Sequence, residues 1–289
     1  MKGIIMAGGS GSRLWPLTSV ISKQLLPVFD KPLIYYPIST LMSIGVNELL
    51  LVSTPEDIPA IRELLGNGSN FGISIDYCVQ QDPQGIAHGI TLAEDFIDSE
   101  NFSLILGDNI FYGQEFNQQL LNINLISGAT AFAYHVNNPT SYGVVELDSN
   151  FLPISIEEKP KQPKSDLALT GLYFFDHTAI KIAQTLKPSA RGELEITDVL
   201  RTYLKSGKLN VRVIPSGTAW LDAGTPSSLH DASTFVRIIE DRQGIKIACP
   251  EEIAYRKGWL NKSAVLKLAK LKPNSAYSDY LVRLVNSEK

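Results

Sequence analysis

Three glycines set among small residues, Gly8, Gly9 and Gly11, follow a short apolar run over residues 3–7, and two cations come after them, Arg13 and Lys23. Glycine lets backbone N–H groups come close to a phosphate and adopts the positive-φ turns that wrap one. A guanidinium and an ammonium just beyond would face the same anion. Strand, glycine turn and two cations form the layout of a triphosphate-binding corner. Two common phosphate loops are excluded by the letters themselves. The dinucleotide pattern G-x-G-x-x-G begun at Gly9 requires glycine where Leu14 stands, and no Gly-Lys-Ser/Thr triplet of a Walker A loop follows. A glycine turn also serves simply to reverse a chain, and most Arg and Lys are solvated surface cations.

Two aspartates are the next groups able to do chemistry. Asp108 follows the apolar run 102–106 within Gly107-Asp108-Asn109, and Asp222 sits in Trp220-Leu221-Asp222-Ala223-Gly224-Thr225. An aspartate after a strand is more often a turn former or helix cap than a ligand. Open α/β sheets, however, gather their ligands beyond the carboxyl ends of the strands, which puts Asp108 at the same edge as the glycine turn. Two carboxylates completed by phosphate oxygens and water suit Mg²⁺, which keeps few protein ligands. The four histidines, His88, His135, His177 and His230, lack metal spacing, and no Ser-His-Asp or Cys-His arrangement emerges.

The strings GGSGSRLWPLT and SKQLLPVFDKPLIYYP are joined by Gly107-Asp108-Asn109, Glu157-Glu158-Lys159-Pro160, residues 192–198 and residues 220–225. Together they resemble, nearly end to end, the signature of the sugar-1-phosphate nucleotidylyltransferases, and the second string is most similar to their thymidylyl branch. The resemblance implies a Rossmann-like three-layer α/β fold with a mixed, mostly parallel central sheet, a β-rich sugar-binding half and a helical C-terminal tail. It implies Mg²⁺-dependent transfer of the thymidylyl group of dTTP to glucose 1-phosphate, without a covalent intermediate. Arg13, Lys23 and Asp108 would be catalytic: Arg13 on the β- and γ-phosphates, Lys23 facing the α-phosphate, and Asp108 with Asp222 at the metal. Gly8, Gly9, Gly11, Ser12, Gln24, Gln80 and Gly85 would hold the nucleotide. Gln80, with one amide donor group and one acceptor, can pair with the edge of thymine or uracil, although a plain surface amide would look the same. The sugar phosphate would fall to Asn109, Tyr142, Gly143, Glu158, Lys159, Leu169, Tyr173 and Arg191, a mix of acceptors, donors and backbone apt for a hexose. The stretch Glu195 to Asp198 beside Arg191 would equally open a helix.

Departures from the family pattern are few. His88 replaces a frequent Gln in Gly85-Ile86-Ala87-His88, Leu169 a frequent Val, Ala223 a hydroxyl or branched residue, and Gln114 a frequent His. The resemblance also implies a homotetramer with feedback by a dTDP-sugar near residues 109–116 (NIFYGQEF), and Arg256 in the tail contributing to an interface.

These residues need a frame, and the pattern supplies one. Apolar runs alternate with helical periodicity through the first half, the rhythm of a parallel sheet. Strands are expected at 48–52, 73–79 and 102–106, and helices at 32–44, 56–65 and 86–97. Strands then dominate at 129–136, 143–147, 154–158 and 169–175. Helices follow at 178–186 and 196–205, a strand at 211–214, and helices at 250–256, 263–270 and 278–285. The expected division is a nucleotidyltransferase domain over 1–240 and a helical appendage over 241–289.

With 289 residues the chain can bury a large core, and a net charge of −4 with interspersed signs argues against nucleic acid as a partner. Cys78 and Cys249 form no disulfide framework, so a reducing compartment fits. The short N-terminal apolar run lacks a cleavage site and no segment of about 18 apolar residues occurs, so no membrane partner is expected and the protein is read as cytoplasmic. Two rivals remain at this level: the same transfer from UTP, and a nucleotide-sugar sensor without catalysis, which would have little need of Arg13, Lys23, Asp108 and Asp222 together.

Overall fold

The computed structural model describes residues 1–9, 11–123, 127–271 and 273–287. Its centre is the strand Lys2–Met6, parallel to Glu48–Ser53 on one side and to Phe102–Leu106 on the other, with Ser74–Val79 parallel beyond Glu48–Ser53. The strands Lys2–Met6, Glu48–Ser53 and Phe102–Leu106 are mostly apolar on both faces because both faces are covered, whereas Ser74–Val79 at the edge alternates. Ile4, Met6, Leu50 and Val52 enter one core, and Ile5, Ala7, Leu49 and Leu51 enter the other. The helices Ile86–Leu92, Thr178–Thr185 and Ile196–Lys205 close the first core, and Tyr35–Ser43, Ile58–Leu65 and Gln114–Leu121 close the second. Each Leu, Ile or Phe so buried contributes about 1.5–3 kcal/mol. The result is a three-layer α/β fold.

Beyond Phe102–Leu106 the sheet turns antiparallel. Leu167–Phe175 pairs antiparallel with Phe102–Leu106, Ala129–His135 and Gly143–Leu147, and Pro153–Glu158 completes a hairpin with Gly143–Leu147. Leu209–Val213 adds parallel to Ala129–His135. A separate antiparallel ribbon joins Asn109–Tyr112 to Ala219–Asp222, with Asp222 opposite Asn109. This ribbon is absent from the sequence-based expectation, and it brings the two aspartate segments together.

Two expected helices differ. The helix expected over 32–44 starts only at Tyr35, because Lys31–Pro32 pairs with Pro27–Val28 and the Lys31 ammonium is drawn into a buried ion pair with Glu240 at 2.9 Å. The helix expected over 86–97 is two pieces, Ile86–Leu92 and Glu94–Ile97. At Ala93 the N–H bonds one residue too tightly, to the Ile90 carbonyl, before the ladder restarts with Ile97 N–H on Ala93. The strands 102–106 and 143–147 and the helix 196–205 begin and end where expected.

The tail helices Pro250–Arg256, Lys262–Leu271 and Ala276–Ser287 gather their own small core around Cys249, Val265, Leu281 and Val285, and the first packs on Tyr35–Ser43. Among the described residues no helix is long and apolar enough to cross a membrane.

Candidate functional site

Two adjoining cavities open at the carboxyl ends of the parallel strands, one of about 320 Å³ and one of about 460 Å³. They share Arg13 and Asp108 in their walls. Gly8, Gly9, Gly11, Ser12, Gln24, Gln80 and Gly85, all expected at a nucleotide, line the smaller cavity with Lys23. Asn109, Tyr142, Gly143, Glu158, Lys159, Leu169, Tyr173 and Arg191, all expected at a sugar phosphate, line the larger with Asp222.

The glycine loop owes its path to backbone freedom. Gly11 has φ 57°, and a side chain there would begin 2.8 Å from the Thr18 methyl, while the Thr18 hydroxyl donates to the Gly11 carbonyl at 3.0 Å. The short helical turn Ser12–Leu14 then buries Leu14 and leaves Arg13 exposed over the cavities. Lys23 comes from a second short turn, Lys23–Leu25. In the same turn Gln24 is buried, and its amide oxygen accepts from Ser22 Oγ at 2.9 Å.

The ribbon positions both aspartates. Ala223 N–H donates to the Asp108 carbonyl at 3.1 Å, so the two carboxylates stand at the same end of adjacent strands. Asp108 Oδ1 accepts from Asn109 Nδ2 at 2.8 Å, and Asp108 Oδ2 forms an ion pair with Lys23. Asn109, 3% exposed, acts here as a brace: its amide oxygen accepts from Gly171 N–H at 3.0 Å and Trp220 Nε1 at 2.7 Å. Asp222 Oδ1 accepts from Gly224 N–H at 3.1 Å and Oδ2 from the Tyr142 hydroxyl at 3.3 Å. Burial, helped by the Asp222 carboxylate, pushes the Tyr142 phenol above its ordinary value, which keeps it a donor. A Cβ placed on Gly224 would lie 3.1 Å from Arg13 Nη2 and 3.2 Å from Asp222 Oδ1, so this glycine lets the guanidinium settle beside the carboxylate.

Do these residues fit a divalent cation? Two hard carboxylates line the same cavity, and Asp108 already holds a cation, the Lys23 ammonium. Among the described residues no third His, Cys, Asp or Glu converges on them. A cation there would complete its shell with phosphate oxygens and water, the habit of Mg²⁺.

In the larger cavity Lys159 takes φ 45°, a left-handed conformation strained for a non-glycine residue, and its N–H donates to the Tyr142 carbonyl at 3.0 Å. The strain is held by neighbours that are themselves site residues. Arg191 reaches Glu193 at 3.0 Å, Glu195 at 3.4 Å and Glu158 at 3.5 Å, bending across the cavity mouth. Burial and the nearby Glu195 carboxylate raise the Glu158 carboxyl above its usual 4.5, against the opposing pull of Lys159 and Arg191.

Sequence reasoning missed two contributors. Trp220 packs against Tyr142 with ring centroids 5.3 Å apart and braces Asn109. Thr170 is fully buried, lines the larger cavity and has a hydroxyl without a hydrogen-bond partner among the described residues. A buried hydroxyl left unpaired costs about 1–3 kcal/mol.

Residues 2–238 match the sequence model of a family described as nucleotidyl transferase. A glucose-1-phosphate thymidylyltransferase of Neisseria meningitidis serogroup A is 54% identical over 286 residues, covering 99% of each chain. One from Mycolicibacterium smegmatis is 52% identical over 288 residues, covering 100% of each. A solved Bacillus anthracis chain assigned as a glucose-1-phosphate thymidylyltransferase, in complex with sucrose, superposes with a TM-score of 0.76 at 40% identity, covering 82% of this chain and 95% of that one. The matched region contains the parallel sheet, the ribbon and both cavities, and the chain is an enzyme that belongs to the nucleotidyl transferase family.

Proposed function

We propose that the enzyme transfers the thymidylyl group of dTTP to glucose 1-phosphate, yielding dTDP-glucose and pyrophosphate. The observation that carries this reading is the meeting of the two cavities at Arg13 and Asp108, where a nucleotide in one and a sugar phosphate in the other would place their phosphates together. The similarity to named thymidylyltransferases over the full chain supports the choice of substrates.

In this mechanism an anionic oxygen of glucose 1-phosphate attacks the α-phosphorus of dTTP in line, the α–β P–O bond breaks, and pyrophosphate leaves with the bonding pair. The nucleophile is already an anion, so no general base is required, and catalysis rests on position and charge. Arg13 holds the β- and γ-phosphates, and Lys23 faces the oxygens of the α-phosphate as charge builds there. Asp108 and Asp222 would hold Mg²⁺, which when bound neutralises phosphate oxygens. Glu158 accepts from sugar hydroxyls, and Lys159 with Arg191 faces the sugar phosphate. A homotetramer belongs to the same reading.

The decisive experiment is pyrophosphate release with Mg²⁺ and glucose 1-phosphate, comparing dTTP with UTP. Thymine and uracil differ by one methyl, worth about 1–3 kcal/mol, so UTP should react about 10–200-fold less efficiently. Equal or faster release with UTP would move the enzyme to the uridylyl reaction. Absence of release with either would overturn the proposal.

The raised Glu158 carboxyl gives a pH signature. Protonation removes its charge and turns one acceptor oxygen into a donor, and because the carboxyl is raised above the ordinary 4.5 this change starts at a higher pH than for an exposed glutamate. KM for glucose 1-phosphate should therefore climb on acidification. In Glu158→Gln it should be high throughout, leaving only the slope from the sugar phosphate's own ionisation near about pH 6. Identical pH profiles in the two proteins would remove Glu158 from the sugar site.

A further inference from the structure

His88 stands on the helix Ile86–Leu92, half-buried, behind the nucleotide cavity rather than in its wall. Its Nδ1 lies 2.9 Å from Nε2 of Gln80, a residue 3% exposed that does line the cavity. The same Gln80 Nε2 lies 3.5 Å from the Gly85 carbonyl oxygen. A carbonyl only accepts, so the Gln80 group facing this side is the NH₂, and His88 Nδ1 must accept from it. The neutral imidazole therefore carries its proton on Nε2.

Both amide protons of Gln80 are thus committed away from the cavity. What remains is the amide oxygen, which lies 3.2 Å from where a side chain at Gly8 would begin, on the glycine loop that walls the cavity. Among the described residues no donor serves that oxygen. The Gly85 turn that helps hold the amide is itself tightly seated: φ is 97° and a Cβ there would lie 2.5 Å from the Leu194 carbonyl.

We infer that His88 is a positioning residue for base selection, locking Gln80 so that it presents an acceptor and no donor to the nucleobase. An acceptor-only edge pairs with the N3–H of thymine or uracil. Unprotonated cytosine has a lone pair at N3 and can meet this acceptor only by shifting to offer its N4 amino group, and sites built around one such hydrogen bond reject the mismatched analogue strongly. This inference rests on the nucleotide reading of the smaller cavity.

The test compares dTTP, UTP and dCTP with the full-length enzyme, His88→Leu, which removes the acceptor, and His88→Gln, whose amide oxygen can replace it. In His88→Leu the KM for dTTP and UTP should rise about tenfold, kcat should stay within about twofold, and the preference for dTTP over dCTP should fall about tenfold or more. His88→Gln should keep the parent's preference. Calorimetric binding of dTTP and dCTP, read on the same proteins, makes the test independent of turnover, so a parent that binds dTTP but transfers nothing would overturn the proposed reaction and leave this inference standing. An unchanged dTTP-to-dCTP preference in His88→Leu would overturn it. So would an equal weakening toward all three nucleotides, the signature of lost packing. If His88→Leu does not fold, His88→Lys, a donor only, must show the same lost preference for the inference to survive.

Discussion

Asp108→Asn is expected to lower kcat/KM by about 4 kcal/mol, roughly a thousandfold, while leaving the protein folded. The two effects separate because the Asp108 side chain does two jobs. Its structural contact is the hydrogen bond that Oδ1 accepts from Asn109, and an asparagine oxygen at 108 accepts the same bond. Its charge is spent elsewhere, on Lys23 and on the cation site it would share with Asp222. The Lys23 and Asp108 side chains are only 10% and 24% exposed, so losing their ion pair also lowers the melting temperature, which has to be read beside the kinetics. Asp222→Asn should cost a comparable amount, because Asp222 keeps its own backbone contact to Gly224 by an oxygen that asparagine retains. If both carboxylates serve one cation, the double variant will be far less impaired than the product of the single losses. Steady-state kinetics of the three variants, with thermal melting as the control for folding, decides the point. Near-parental turnover in Asp108→Asn would remove the metal role from this site.

The parts of the site that sequence reasoning could reach are the local ones. The glycine turn, Arg13 and Lys23 lie within one short stretch, and the backbone demands of phosphate binding leave a mark there in residue type. Asp108 was visible for a similar reason, because an apolar strand followed by an acidic residue marks a sheet edge. What joins Asp108 to Asp222 was not visible. The ribbon of Asn109–Tyr112 with Ala219–Asp222 pairs four-residue strands more than a hundred positions apart, and such short strands carry no periodicity of their own. Asn109 shows what residue type leaves out: it lines the larger cavity, and in addition its oxygen is occupied by Gly171 and Trp220 and one of its amide protons by Asp108. Thr170 was hidden by simple alternation. On a regular strand it would face away from Leu169, but the register shifts between Leu169 and Tyr173, and both Thr170 and Leu169 line the cavity. His88 was legible as a departure from the family pattern, and only the 2.9 Å contact with Gln80 gives that departure a meaning.

Lys23→Met should produce two changes of opposite sign. Turnover should fall by about 10²–10³, mostly in kcat, because a cation aimed at the α-phosphate acts where charge grows on the way to the transition state. Divalent-cation binding to the nucleotide-free protein should become tighter. In the free protein the Lys23 ammonium sits on Asp108 Oδ2, and a cation arriving there has to displace it. Removing the ammonium lifts that competition, and the methionine chain fills much of the same volume without charge. The ammonium therefore has two partners, Asp108 before the nucleotide binds and the α-phosphate afterwards, and the exchange couples cation binding to nucleotide binding. Mn²⁺ titration of the nucleotide-free protein, followed by electron paramagnetic resonance, reads the first effect, and pyrophosphate release reads the second. A merely structural lysine would weaken both together. Tighter Mn²⁺ binding with slower transfer is the outcome that the Lys23–Asp108 pair requires, and weaker binding with slower transfer would rule the exchange out.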